Sequence, residues 1–190
     1  MIYKLMEQPH QYKSLDLDML TLFEKVGSEE LGLKIFQQAD TNLSLAKDWV
    51  AFDCDYFEEP DADDLQAPDV FLWLESYLVL TETAQRTLAS YLEGFGEFLP
   101  ISVSGEPHYL FNCMTLGKED ESATEYKLDG GLPTGITKLA FLPDDVENKT
   151  LFKSQISFCS SLFGNTRFKQ LCDENRLNGL RFEEDLAAIF

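Results

Sequence analysis

The segment Ser76-Tyr-Leu-Val-Leu80 constrains the fold most, because a short apolar run of strand length ends in Thr81, a strong helix N-cap residue, and gives way at once to helical spacing. Leu88, Tyr91 and Leu92 stand at i, i+3 and i+4, and Gly94 and Gly96 supply the stop. Phe98-Leu-Pro-Ile-Ser-Val103 then reads as a returning strand. The same order is expected near the end of the chain. There Leu151-Phe-Lys-Ser-Gln-Ile156 is followed by Ser157 as the polar cap, and then by Phe158, Leu162, Phe163, Phe168, Leu171 and Cys172. Gly164-Asn165-Thr166 interrupts that helix or caps a second one, Asn178-Gly179 closes it, and Leu180-Arg-Phe182 is a short strand. The two strand, cap, helix, glycine, strand units are either a duplication or the ordinary product of an α+β chain.

Elsewhere, Ile2 to Glu7 alternates as a first strand, and Met19 to Val26 carries apolar residues at helical spacing. Residues 48–55 alternate from Val50 onward, as a strand with one buried face would. Pro107 to Met114 and Ile136 to Leu142 are further apolar runs of strand length, separated by the turn-rich Asp129-Gly-Gly-Leu-Pro-Thr-Gly135. The expected fold class is α+β: a mixed or mainly antiparallel sheet with flanking helices, with two strand-helix-strand units as an option. The 190 residues suit one domain, in which 1–67 could form an acidic N-terminal lobe. With 44% apolar and 13% aromatic residues the chain has ample surface to bury.

No apolar stretch is long enough to span a bilayer, and the start of the chain lacks the features of a secretory signal, so the cytoplasm is the expected compartment. Four scattered cysteines, Cys54, Cys113, Cys159 and Cys172, show no metal or redox spacing and fit free thiols in a reducing environment.

Charge carries more information about partners. The formal net charge is −19, from 34 acids and 15 bases, and such a field repels nucleic acid and anionic membranes while attracting basic proteins. The densest acidic stretch runs from Asp53 to Asp64, where seven of twelve residues are acids and Pro60 breaks regular structure. An exposed loop hung from a strand end is expected there. Its acids, Asp53, Asp55, Glu58, Glu59, Asp61, Asp63 and Asp64, are the candidate partner-binding residues. They suit the basic groove of a protein such as a nuclease; the alternative is a solvated loop that contacts nothing. Calcium is a further option for so many hard oxygen ligands, but the sixth-position glycine and twelfth-position glutamate of an EF-hand loop beginning at Asp53 are absent.

Catalytic signals are sparse. His10 stands beside Pro9 in an expected turn, and His108 stands at the head of a strand. Cys54 lies between Asp53 and Asp55, whose charge disfavours a thiolate, and the other three cysteines sit in apolar surroundings that favour packing. No nucleophile elbow, phosphate loop or zinc-protease helix occurs. No catalytic residue, metal site or cofactor is therefore assigned.

Pro68-Asp69, Leu78-Val-Leu-Thr81, Phe98-Leu-Pro-Ile101 and Tyr109-Leu-Phe-Asn112, with Leu151-Phe152, Phe168, Leu171 and the ending Asn178-Gly-Leu-Arg-Phe-Glu-Glu184, together resemble the immunity protein 11 family of bacterial polymorphic toxin systems. Asp120-Glu-Ser122 matches an aspartate and serine segment of that family. The resemblance covers residues 68–184. It implies a non-catalytic cytoplasmic protein that binds and neutralises a cognate toxin domain, without identifying the toxin. Two other readings stay open on the residues alone: a carboxylate- or divalent-metal-dependent enzyme, and an acidic scaffold or adaptor.

Overall fold

The computed structural model describes residues 1–8, 11–57 and 65–188. The chain opens with β1 (Ile2–Glu7) and the short β2 (Leu15–Asp16). Asp18 then accepts a hydrogen bond from the Thr21 N–H and starts α1 (Met19–Val26). Gly27, at φ 65°, ends α1 in the left-handed conformation, and Ser28 caps the start of α2 (Glu29–Phe36). A single turn, α3 (Gln38–Thr41), follows, and after a loop comes β3 (Asp53–Tyr56). The strand expected over 48–55 thus begins only at Asp53.

β4 (Val70–Trp73) and β5 (Tyr77–Thr81) form a hairpin that runs straight into α4 (Glu82–Leu92), with Thr81 as the cap expected from sequence. β6 (Gly96–Val103) and β7 (Glu106–Cys113) form a second hairpin. β8 (Leu116–Gly117), β9 (Glu125–Asp129), β10 (Leu132–Lys138) and α5 (Pro143–Val146) follow. The chain closes with β11 (Leu151–Ser154), β12 (Leu162–Asn165), α6 (Thr166–Glu174) and β13 (Leu180–Glu183).

Two mixed sheets and one two-stranded ribbon result, and the fold is α+β. The six-stranded sheet has the order β2-β3-β6-β7-β5-β4, the five-stranded sheet β13-β1-β12-β11-β8, and the ribbon pairs β10 with β9. Four strands of each sheet share one topology. β6-β7-β5-β4 and β13-β1-β12-β11 are both fully antiparallel. In each, a hairpin leads into a helix capped by the last strand residue, Thr81 or Asn165, and the chain then returns as the outer strand. The strand that completes the second set is β1, from the opposite end of the chain. The Thr166 backbone N–H and hydroxyl accordingly both donate to the Met1 carbonyl, at 2.9 and 3.1 Å.

The second unit therefore differs from its sequence reading. Ser157 caps no helix: residues 155–159 form turns, Phe158 and Cys159 take φ of 52° and 56°, and the chain reverses into β12 before Asn165 starts α6. The run 136–142 is also split, because β10 ends at Lys138 and Leu139 and Phe141 enter a core beyond it.

β4 and β5 are buried on both faces, which explains their unbroken apolar sequence. Val70, Leu72, Leu78 and Leu80 join Ala84, Leu88 and Leu92 of α4 and Phe168, Leu171 and Cys172 of α6 in a core that also takes Leu5 and Leu180. The alternate residues Phe71, Trp73, Tyr77 and Val79 face Leu22, Val26, Leu31 and Ile35 of α1 and α2. Period-2 alternation thus serves two cores at once. Among the described residues no helix is long and apolar enough to cross a membrane.

Candidate functional site

β3 alternates as its sequence requires, with Asp53 and Asp55 exposed, Cys54 buried and Tyr56 half-buried. The strand is held on both sides, antiparallel to β2 and parallel to β6. Its register sets Asp16 of β2 directly opposite Asp55, and both are exposed. Three carboxylates therefore share one solvent face of a paired strand. Like charges directly opposite one another on a sheet destabilise it unless a cation is brought up to them. Glu58, Glu59, Asp61, Asp63 and Asp64, with Pro60 and the calcium reading of this stretch, lie outside the described residues, as does His10.

Behind this face Tyr56 turns inward to His108, which is only 5% exposed. His108 Nδ1 lies 3.0 Å from the Glu106 carbonyl, and a carbonyl only accepts, so Nδ1 carries the proton. Nε2 is then the acceptor for the Tyr56 hydroxyl at 3.3 Å. Burial pushes the Tyr56 phenol up to about 12, so it donates at neutral pH. A cavity of about 340 Å³ adjoins the pair, lined also by Thr81, Thr83, Ser104 and Glu106. Both ring nitrogens are engaged, and the imidazole joins β7 to β3.

The thiols follow the same logic of burial. Desolvation raises Cys54 to about 11, with Lys25 opposing and Asp55 and Asp53 adding to the rise. It raises Cys113 to about 11 and Cys172 to about 12. These three stay protonated near pH 7, and a protonated buried thiol packs as a small apolar group. Among the described residues no group of three or more His, Cys, Asp or Glu side chains is placed to hold a metal ion.

Sequence reading missed a buried cation. Lys153, in β11, has no exposed surface; its Nζ donates to Gln38 Oε1 at 2.5 Å and to Asn42 Oδ1 at 3.3 Å. Desolvation lowers its pKa. Asn42 in turn donates to the Met114 carbonyl at 3.0 Å. From the other sheet, Glu97 accepts from the Leu45 N–H at 2.6 Å, the Ser44 hydroxyl at 2.6 Å and Asn112 Nδ2 at 2.8 Å. α3 and the loop after it are thereby bolted to both sheets.

The ribbon was missed too, although Asp129-Gly-Gly is its signal: Gly130 and Gly131 take φ of 57° and 86°, the positive angles that a two-residue hairpin loop favours. Register separates its faces. Glu125 pairs with Lys138, Lys127 with Gly135 and Asp129 with Leu132 on one face, while Tyr126 pairs with Ile136 and Leu128 with Pro133 on the other. The first face is mainly charged and the second wholly apolar. Of that second face only Ile136 packs against the core; Leu128 is 61% and Tyr126 40% exposed.

No protein-family model matches the chain, and no curated protein matches it in sequence.

Proposed function

We propose that this protein is a non-catalytic immunity protein of the cytoplasm, which binds a cognate, positively charged toxin domain, such as a nuclease, and neutralises it. The observation that carries this reading is the carboxylate face formed by Asp16, Asp53 and Asp55 on a strand held from both sides. A basic surface relieves the repulsion within that face, and the net charge of −19 steers such a partner towards it. The motifs of residues 68–184 that resemble the immunity protein 11 family support the same role. The buried state of Cys54, Cys113 and Cys172 and the structural engagement of His108 give these residues packing and bridging tasks.

The test is co-expression. The reading frame adjacent to the one for this chain is expected to encode a large secreted protein, whose C-terminal domain, expressed alone, should arrest growth. Growth should return when this chain is co-expressed, and the two should co-purify as a stable complex. Persistent arrest with no complex would overturn the proposal.

A further inference from the structure

Two features expose large apolar groups to solvent. The first is the ribbon β9–β10. A two-stranded ribbon is marginally stable in water by itself, and this one leaves Tyr126, Leu128 and Pro133 of its apolar face open. The second is the loop after β11. Phe158 is 79% exposed and is held at φ 52°, a conformation that bulky residues avoid.

Glu119 links the two. Its Oε1 accepts from the Ser154 hydroxyl at 2.6 Å and the Ile156 N–H at 3.1 Å, inside the Phe158 loop. Burial alone would raise the Glu119 carboxyl, but these hydrogen bonds prevail and hold it below its ordinary value, so it is ionised. Glu119 also bridges to Phe141 where the chain leaves the ribbon. β8 and β11 run parallel, which brings the end of β8 and the start of the Phe158 loop to the same end of the sheet.

From this arrangement we infer that the apolar face of the ribbon, together with Phe158, is the docking surface for a basic protein domain that presents an apolar depression rimmed by Lys and Arg. Residues 118–138 hold five acids, Glu119, Asp120, Glu121, Glu125 and Asp129, against the three bases Lys118, Lys127 and Lys138. The segment that carries the apolar face is net acidic, as is the chain as a whole. That charge selects the occupant: a second copy of this chain would bring another −19 to the contact, whereas a basic domain complements it. Aromatic and aliphatic anchors in the centre with charges at the rim are the usual anatomy of a specific protein interface. The carboxylates of β3 then steer the partner, and the ribbon holds it.

This inference rests on the binding role proposed above, so its test separates the two. The probe is the purified C-terminal domain encoded by the adjacent reading frame. Its affinity is measured for the wild type, for the charge-neutral double variant Tyr126→Ser, Leu128→Ser, for Phe158→Ser, and for Lys127→Thr on the opposite face. The double variant and Phe158→Ser should each bind at least about tenfold more weakly, and Lys127→Thr within about twofold of wild type. Hydrogen exchange on the wild type, which needs no variant to fold, should show amides of 126–136 gaining protection when the probe binds. Wild-type binding with an unaffected double variant and no added protection would overturn the ribbon as the contact while leaving the binding role intact. Failure of the wild type to bind would remove both. A dimer of this chain that the double variant abolishes would overturn the basic occupant in favour of a second copy.

Discussion

Lys153 Nζ donates to Gln38 Oε1 at 2.5 Å across 115 residues of sequence, and neither residue exposes any surface. Among the described residues no carboxylate accepts from this ammonium; its acceptors there are the amide oxygens of Gln38 and Asn42. An ion in such a place is tolerated only while those dipoles replace its water. Gln38→Leu removes the shorter of the two hydrogen bonds and should destabilise the protein by about 2 to 3 kcal/mol in urea unfolding, the cost of a hydrogen bond to a charged group.

The same site sets a pH dependence. Burial holds the Lys153 pKa in the folded state below the ordinary 10.5 of the unfolded chain. Between those two values the unfolded state binds more protons than the folded one, so this lysine makes stability rise with pH through that window and costs most below it. Wild type minus Lys153→Met, compared by urea unfolding at pH 7 and at pH 9.5, should shift towards the wild type at the higher pH. An unchanged difference would mean that the ammonium is not desolvated.

Buried thiols act in the opposite direction, and Cys113 more strongly in the Lys153→Met protein, where the lowering effect of the Lys153 charge is gone. Cys54, Cys113 and Cys172 keep their protons up to about 11, 11 and 12, whereas unfolded thiols ionise near 9. Stability should therefore fall as pH rises above 9. At pH 8, mapped alkylation should leave these three unmodified in the native protein and label them all in urea.

The two antiparallel sets of strands should respond alike at their helix caps. Thr81 Oγ1 accepts from the Ala84 N–H at 3.2 Å and Asn165 Oδ1 from the Phe168 N–H at 3.0 Å. Thr81→Ala and Asn165→Ala should each cost about 1 kcal/mol in urea unfolding. A loss confined to Thr81→Ala would show that the second cap does not hold its helix as the first does.

Local signals made the first unit legible and misplaced the second. β1, α1 and the Thr81 cap follow from alternation, helical spacing and a hydroxyl at a strand end, all of which act within a few residues. The second unit is completed by pairing β1 with β12 and β13, a contact between the two ends of the chain that no local pattern encodes. Ser157 and Asn165 are both acceptable caps by residue type. The difference lies in the reversal at Phe158 and Cys159 and the burial of Leu162, Phe163 and Gly164 as a strand. Nothing local to Lys153 marks it as buried, yet all four residues of β11 are, and Gln38 of α3 and Asn42 after it supply the acceptors that let a lysine stay there. Of the candidate site, Asp53 and Asp55 lie on the outer face that alternation assigns them. The apolar face of the ribbon was hidden because its two halves become one face only through the register of β9 with β10.

Association kinetics with the proposed toxin domain, measured across a range of salt, test the central claim most directly. The wild type should associate fast at low salt and progressively slower as salt rises, and Asp53→Lys, Asp55→Lys should cut the low-salt association rate at least about tenfold and flatten its salt dependence. Association that is indifferent to salt and to both substitutions would contradict electrostatic capture through β3, and no association by the wild type would contradict the binding function itself.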